Sequence, residues 1–176
     1  MIWRSLNSLV KLINYFRLLL LGMWLGAAVF LSAVLAPSAF LVLRGYQSFN
    51  ASEIAGAIVN RNLIALNLAG FAIGLVVFVT GLFRFRKIPL LAFLIEMICL
   101  ATLSVTTAIG HWVIAAKLRA LRLTLTGPID QLTATDPRRM TFDRLHSHSV
   151  KALVVAMIAA FVGFVMVALR TRKDAR

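Results

Sequence analysis

One acidic residue, Glu96, stands inside a long apolar stretch that is bounded by Lys87 and Lys117. An acid in a membrane-spanning helix costs about 2.5 kcal/mol or more to insert and often marks a functional site. Because no basic residue is predicted at a matching depth in another apolar stretch, we expect Glu96 to be protonated or hydrogen-bonded to a backbone carbonyl, Ser104 or Thr80. Glu96 is therefore either a proton or cation site or a neutral hydrogen bond between helices.

Histidines form the second candidate site. If the chain folds back near residues 126–135, His111 comes roughly level with residues 146–150, so it could meet His146 or His148 near the outer membrane face. Two histidines from facing helices could hold the iron of haem b or take part in a metal site. His146 and His148 point in different directions on one helix, and no HxxxH, HxxE or paired-cysteine pattern accompanies them. We therefore expect no metal, with interfacial hydrogen bonding as the ordinary role and haem b through His111 and His146 as the alternative.

Asn67 is a further polar residue inside an apolar stretch, three residues before Gly70. We expect its amide to bond a neighbouring helix, and contact with a transported solute is the alternative. The chain has no P-loop, GxGxxG or GxSxG motif, and no spaced acid completes a triad with its serines and histidines. The sequence thus predicts no catalytic machinery and no enzyme activity.

Membrane-spanning helices must position these residues. The 176-residue chain is 61% hydrophobic and 14% charged, whereas soluble domains are roughly 45–50% apolar and 25% charged. A spanning helix needs about 20 apolar residues, and the runs between basic residues predict four spans at about residues 18–43, 63–83, 88–116 and 152–169. The predicted fold is an all-α polytopic membrane protein, a four-helix bundle packed at small residues such as the GxxxG pairs Gly22/Gly26 and Gly70/Gly74. Such pairs serve internal packing or dimerisation, and we favour internal packing.

Three segments are predicted outside the lipid. In residues 1–17, apolar residues recur at three- and four-residue spacing and polar residues fall on the opposite face, which predicts an interfacial amphipathic helix. The third helix should continue past Lys117 and end at Thr126-Gly127-Pro128. Asp136-Pro137 should start the fourth helix. Helices three and four are therefore predicted to form a hairpin that protrudes from the membrane. Residues 171–176 form a basic tail.

The charge predicts partners and orientation. Lys and Arg number 19 against 6 Asp and Glu, which in so apolar a chain indicates the lipid bilayer and its anionic head groups rather than nucleic acid. Basic residues are denser in residues 1–17, 84–87 and 170–176 than in the loops on the other side. By the positive-inside rule, both termini are expected in the cytoplasm, in a bacterial inner membrane.

Three segments carry a resemblance to a known family. The first span of the transmembrane protein 205-like family resembles residues 23–30 (MWLGAAVF) and 36–40 (APSAF). The segment by which that family enters its last span resembles residues 142–149 (FDRLHSHS). Its outer segment before span two is similar to residues 51–61. The resemblance implies a four-helix membrane fold, with a family motif carried by Phe142, Arg144, His146 and Ser149. This chain departs from the family pattern at His111, which argues against the pair of haem ligands. The family has no settled activity, so the resemblance implies a fold and leaves the function open.

Taken together, these patterns predict a structural or accessory component of a membrane assembly, as a homo-oligomer or with another membrane protein. A small transporter or channel using Glu96 and Asn67 is the first alternative. A haem b redox subunit is the second.

Overall fold

Four long helices make up the fold of the computed structural model, which describes residues 2–46, 50–83, 89–125 and 127–173, with side chains for residues 9–172 of these ranges. The segments are α1 (Ile2–Phe30), a π-helical turn (Leu31–Leu35), α2 (Ala36–Gly45), α3 (Ala51–Leu82), α4 (Leu90–Ala108), a second π-helical turn (Ile109–Ile114), α5 (Ala115–Leu123), a 3₁₀ turn (Ile129–Gln131) and α6 (Pro137–Lys173). The described residues contain no strand. Residues 84–88 and 174–176, which include basic residues used for the predicted orientation and the predicted tail, lie outside the described residues.

All four helices are long and apolar enough to cross a membrane, which makes the chain an integral membrane protein and confirms the predicted all-α bundle. Each is longer than its predicted span; the four ranges are Leu9–Gly45, Ala51–Leu82, Leu90–Leu123 and Pro137–Arg172. α1 packs on α3 and α6, and α4 packs on the same two helices. The bundle is therefore a ring in the order α1, α3, α4, α6.

The first helix does not break where an interfacial segment was expected to end. α1 runs without interruption from Ile2 to Phe30, so residues 9–17 belong to the same helix as the first span. Asn14 and Arg17 were expected at or outside the membrane boundary, yet they are 0% and 1% exposed. They continue the buried face inward to Leu21 and Trp24. Their burial corrects the expected membrane-surface position of Asn14 and Arg17, while the side chains of residues 1–8 lie outside the described residues.

Pro37 neither ends nor interrupts the first spanning helix. The π-helical turn Leu31–Leu35 precedes it, with the Ala36 amide donating to the Leu31 carbonyl five residues back. A wide turn of this kind absorbs the ring of a proline and the loss of its N–H. The helix consequently reaches Gly45.

Glycines of α3 allow the helices to approach closely, as the small-residue pattern predicts. A Cβ at Gly70 would lie 2.6 Å from the Trp24 indole nitrogen, and one at Gly74 would meet the Ser104 hydroxyl. On α1, Gly22 faces Phe164, but a Cβ at Gly26 would meet nothing within 4 Å. The glycine pair of α3 thus serves internal packing, whereas that of α1 is divided between an internal contact and an open face.

The hairpin between the third and fourth helices forms as predicted. α5 ends at Leu123, and α6 starts at Pro137 after Asp136, whose carboxylate accepts the Arg138 amide at 2.8 Å. The Arg138 guanidinium also bonds this carboxylate, and that hydrogen bond holds the pKa of Asp136 below its usual range. A carboxylate in this position caps the free amides of a helix start.

Candidate functional sites

The first candidate site is an ionic cluster in which Glu96 of α4 meets one arginine from each of two neighbouring helices. Arg17 of α1 donates to Glu96 Oε1, and Arg170 of α6 donates to Glu96 Oε2. The side chains of Glu96 and Arg17 are each 1% exposed, and that of Arg170 is 13% exposed. Each carboxylate oxygen accepts from one guanidinium, as an ionised carboxylate does.

Backbone carbonyls complete the cluster. Arg17 Nη2 also donates to the Val77 carbonyl of α3 at 3.2 Å, and Arg170 Nη2 donates to the Ala92 carbonyl at 2.9 Å. A Cβ at Gly81 would lie 3.0 Å from Arg17 Nη2, so the glycine leaves room for the guanidinium beside α3. All four helices of the ring therefore meet at this one point.

The cluster lies near the end of the bundle that carries both termini. Glu96 is six residues into α4, about 9 Å along its axis at 1.5 Å per residue. Arg170 is three residues before the end of α6.

This arrangement corrects the expectation that no basic residue reaches the depth of Glu96. The runs between basic residues place Arg17 and Arg170 at the ends of spans, but both side chains point inward to Glu96. The signal was present in the spacing: Asn14, Arg17, Leu21, Trp24 and Ala28 recur at three and four residues, and every one of them is buried. Such a stripe is the buried face of a packed helix, so the arginine belonged to the core face.

The second candidate site is a cavity of about 700 Å³ at the opposite end of the bundle. The C-terminal end of α2, the first turns of α3, the end of α5 and the first turns of α6 surround it, and residues 127–131 contribute to its wall. Three of the four motif residues, Phe142, His146 and Ser149, line it. They fall at positions i, i+4 and i+7 of α6, which lie on one face of a helix.

Aromatic and cationic contacts fix one wall of the cavity. The Phe142 and His146 rings are stacked at 6.2 Å, and the Arg122 guanidinium lies 5.7 Å from the Phe142 ring centre. Ser149 is 8% exposed. Arg144, the fourth motif residue, is exposed and does not line the cavity.

Asn67 occupies the middle of the bundle between the two candidate sites. It is 5% exposed, and a Cβ at Gly110 would lie 2.8 Å from its amide nitrogen. The preceding residue, Leu66, accepts a hydrogen bond from the Trp24 indole at 2.9 Å. Asn67 therefore packs where α3 meets the second π-helical turn, some distance along α3 from the Glu96 cluster.

The two predicted haem ligands lie in different surroundings. His111 is in the π-helical turn, with its ring edge on Trp112, and its buried Nδ1 has no hydrogen-bond partner among the described residues. His146 lies in the cavity wall, whereas His111 is not one of the lining residues. In the part of the chain that the structure describes, no three His, Cys, Asp or Glu residues come together as a metal site.

Comparison with known proteins adds no assignment. No protein-family model, curated protein or solved structure matches the chain.

Proposed function

We propose that this integral membrane protein is a non-enzymatic accessory component of a membrane assembly, in which the Arg17–Glu96–Arg170 cluster joins the helices. The observation that carries the proposal is the occupation of both Glu96 oxygens by guanidiniums from two other helices. A carboxylate that carries protons or cations must exchange its partners with water or the transported ion. One held by two buried or nearly buried arginines is suited to fixing the bundle.

The position of Asn67 supports the same proposal over a transport function. A path along the bundle would have to pass the Trp24 indole, which bonds the Leu66 carbonyl beside Asn67. The Asn67 amide lies close against Gly110, where a Cβ would come within 2.8 Å of the amide nitrogen. These contacts favour helix packing over an open route for a solute.

Placement in a bacterial inner membrane with both termini in the cytoplasm is part of this proposal. The density of basic residues in 1–17, 84–87 and 170–176 of the sequence supports this orientation by the positive-inside rule. We further propose membership of the transmembrane protein 205-like family, on the resemblance of residues 23–40 and 142–149 to its motifs. Anionic lipid head groups are the proposed partners of the basic surface.

The open surface at Gly26 supports a partner within the membrane. It is exposed, and a side chain there would meet nothing in this chain. Close approach at glycine is a common mode of helix association in lipid. A second copy of the chain or another membrane protein would supply the missing helix.

Flux measurements test the accessory function against the transport alternative. Wild-type protein, Glu96→Gln and the exposed-site control Asp143→Asn are reconstituted in liposomes, and proton and cation fluxes are recorded. The proposal expects all three to match protein-free liposomes. Flux above that background which disappears in Glu96→Gln alone would favour transport instead.

Two further measurements complete the test. Native mass spectrometry after mild extraction should show a complex of fixed stoichiometry, and Gly26→Leu should abolish this complex. Detection of the monomer alone under every mild condition would contradict the accessory function. A visible spectrum of the purified protein should contain no Soret band. A band that disappears in His146→Ala would replace the proposal with the haem alternative.

A further inference from the structure

The cavity at the end of the bundle away from the termini has a charge pattern that the accessory function does not explain. Four charged residues line it: Arg44, Glu53, Arg122 and Asp130. Within the described residues, none of the four forms an ion pair. The cavity thus presents two guanidiniums and two carboxylates that leave their charges available to a ligand.

Arg122 is the best positioned of the two cations. Its guanidinium lies over the Phe142 ring at 5.7 Å. One of its nitrogens would be 3.6 Å from a Cβ at Gly56, so the small residue on α3 leaves space for it. Stacking on an aromatic ring fixes the plane of a guanidinium while its N–H groups remain free to donate. Such a group is suited to a phosphate or carboxylate.

The other walls combine hydrogen-bonding groups with apolar surface. Asn60, Gln131 and Ser149 provide neutral donors and acceptors, and Leu63 and Leu118 contribute apolar side chains toward the bundle. A volume of about 700 Å³ lies within the roughly 300–1,000 Å³ range of small-molecule sites. These walls would suit a ligand with a polar head and an apolar portion.

We propose that this cavity binds a zwitterion that carries a phosphate and a primary ammonium group, as in the head group of phosphatidylethanolamine. The phosphate bonds Arg122 and Arg44, and the ammonium bonds Asp130 and Glu53. A ligand that carries both a negative and a positive group can pair with the two arginines and with the two carboxylates of the cavity wall. A singly anionic lipid would leave the carboxylates unpaired and repelled. This lipid or zwitterion site is independent of the accessory function and of the Glu96 cluster.

Binding measurements on the full chain purified in detergent test the site. Native mass spectrometry and titration compare dioleoyl-phosphatidylethanolamine, dioleoyl-phosphatidylglycerol and free phosphoethanolamine. The variants are Arg122→Gln and Asp130→Asn, with Arg144→Gln and Asp143→Asn as charge-matched controls exposed on α6 outside the cavity. Because Asp130 is an exposed loop residue, its variant keeps the test valid even if Arg122→Gln disturbs the helix packing.

The proposal expects phosphatidylethanolamine to bind at least tenfold more tightly than phosphatidylglycerol. Arg122→Gln and Asp130→Asn should each weaken binding at least tenfold, which corresponds to 1.4 kcal/mol, and the two controls should leave it unchanged. Equal binding of phosphoethanolamine would identify a free zwitterion as the ligand, and its failure to bind would identify the lipid. Equal binding of phosphatidylglycerol, equal loss in the controls, or no binding of either ethanolamine compound would overturn the proposal.

Discussion

Replacing Glu96 by glutamine should destabilise the bundle more than replacing either of its arginine partners. Glutamine retains the shape of the side chain but removes the carboxylate charge that both guanidiniums share. Arg17, 1% exposed, and Arg170, 13% exposed, would then each lose this ion-pair partner. Since arginine cannot lose its proton in a protein, neither can offset this loss by becoming neutral.

The expected magnitude follows from the burial of the cluster. Removing one partner of a buried ion pair costs about 3–5 kcal/mol, because a charge is left uncompensated in a medium of low dielectric constant. Arg17→Met instead leaves a balanced Glu96–Arg170 pair and removes hydrogen bonds made by a charged group, at about 1.5–3 kcal/mol. The double variant Arg17→Met/Glu96→Gln leaves only Arg170, which is the most exposed member. It should therefore be less destabilised than the sum of the two single variants.

Equilibrium unfolding in mixed detergent and SDS, followed by tryptophan fluorescence, measures these differences. Trp24 is one of three tryptophans, is 2% exposed and bonds the Leu66 carbonyl. In a Trp3→Phe/Trp112→Phe background, its emission therefore reports separation of α1 from α3 even when the helices themselves persist. Asp143→Asn, an exposed acid on α6, is the control and should stay within about 0.5 kcal/mol of wild type. An equal or larger loss in Arg17→Met than in Glu96→Gln would refute the charge balance assigned to the cluster.

The remaining predictions concern packing and the hairpin. Gly70→Ala should destabilise the bundle by about 1–3 kcal/mol in the same unfolding assay, because its Cβ would lie 2.6 Å from the Trp24 indole nitrogen. The control Gly45→Ala, whose Cβ would meet nothing within 4 Å, should be neutral, and similar losses in both would contradict this packing. Trp24→Phe should cost about 1 kcal/mol for the lost indole hydrogen bond in addition to the smaller ring, and unchanged stability would argue against that bond. Because Arg138 lowers the pKa of Asp136, the cap should stabilise α6 above the ordinary carboxyl pKa of about 3.9 and be lost as pH falls through the lowered value. The protection of amides in the first turn of α6, which is the exchange rate relative to the intrinsic rate at each pH, should accordingly fall only below about pH 4, and a loss of protection near pH 6 would contradict this assignment.

The bundle itself could be predicted from the sequence because its causes are local. A spanning helix satisfies its backbone hydrogen bonds within one segment, so the length of an apolar run is enough to predict it. The stop near Gly127 and Pro128 and the start at Asp136 and Pro137 also depend on neighbouring residues. The glycines of α3 indicated close packing for the same reason, since a missing side chain limits what can lie against a helix.

Other features depended on the relative register of helices that are far apart in the chain. Arg17 and Glu96 are separated by 79 residues and Arg170 and Glu96 by 74, so no local pattern showed that they lie at one depth. When one helix is considered alone, a charged residue next to an apolar run indicates the membrane boundary. Once α1 packs on α3 and α6, the same arginine lies on the buried face.

The amino-acid sequence by itself determined the number of spans, the starts and ends of the hairpin helices and the small-residue faces, because each follows from hydropathy and backbone chemistry within one segment. Only the tertiary structure decided that the lone membrane acid is bound by two arginines and that Phe142, His146 and Ser149 share a cavity with Arg122. These contacts require four helices to be set at particular depths and rotations. Packing of side chains along their whole length determines that arrangement, which no single segment encodes.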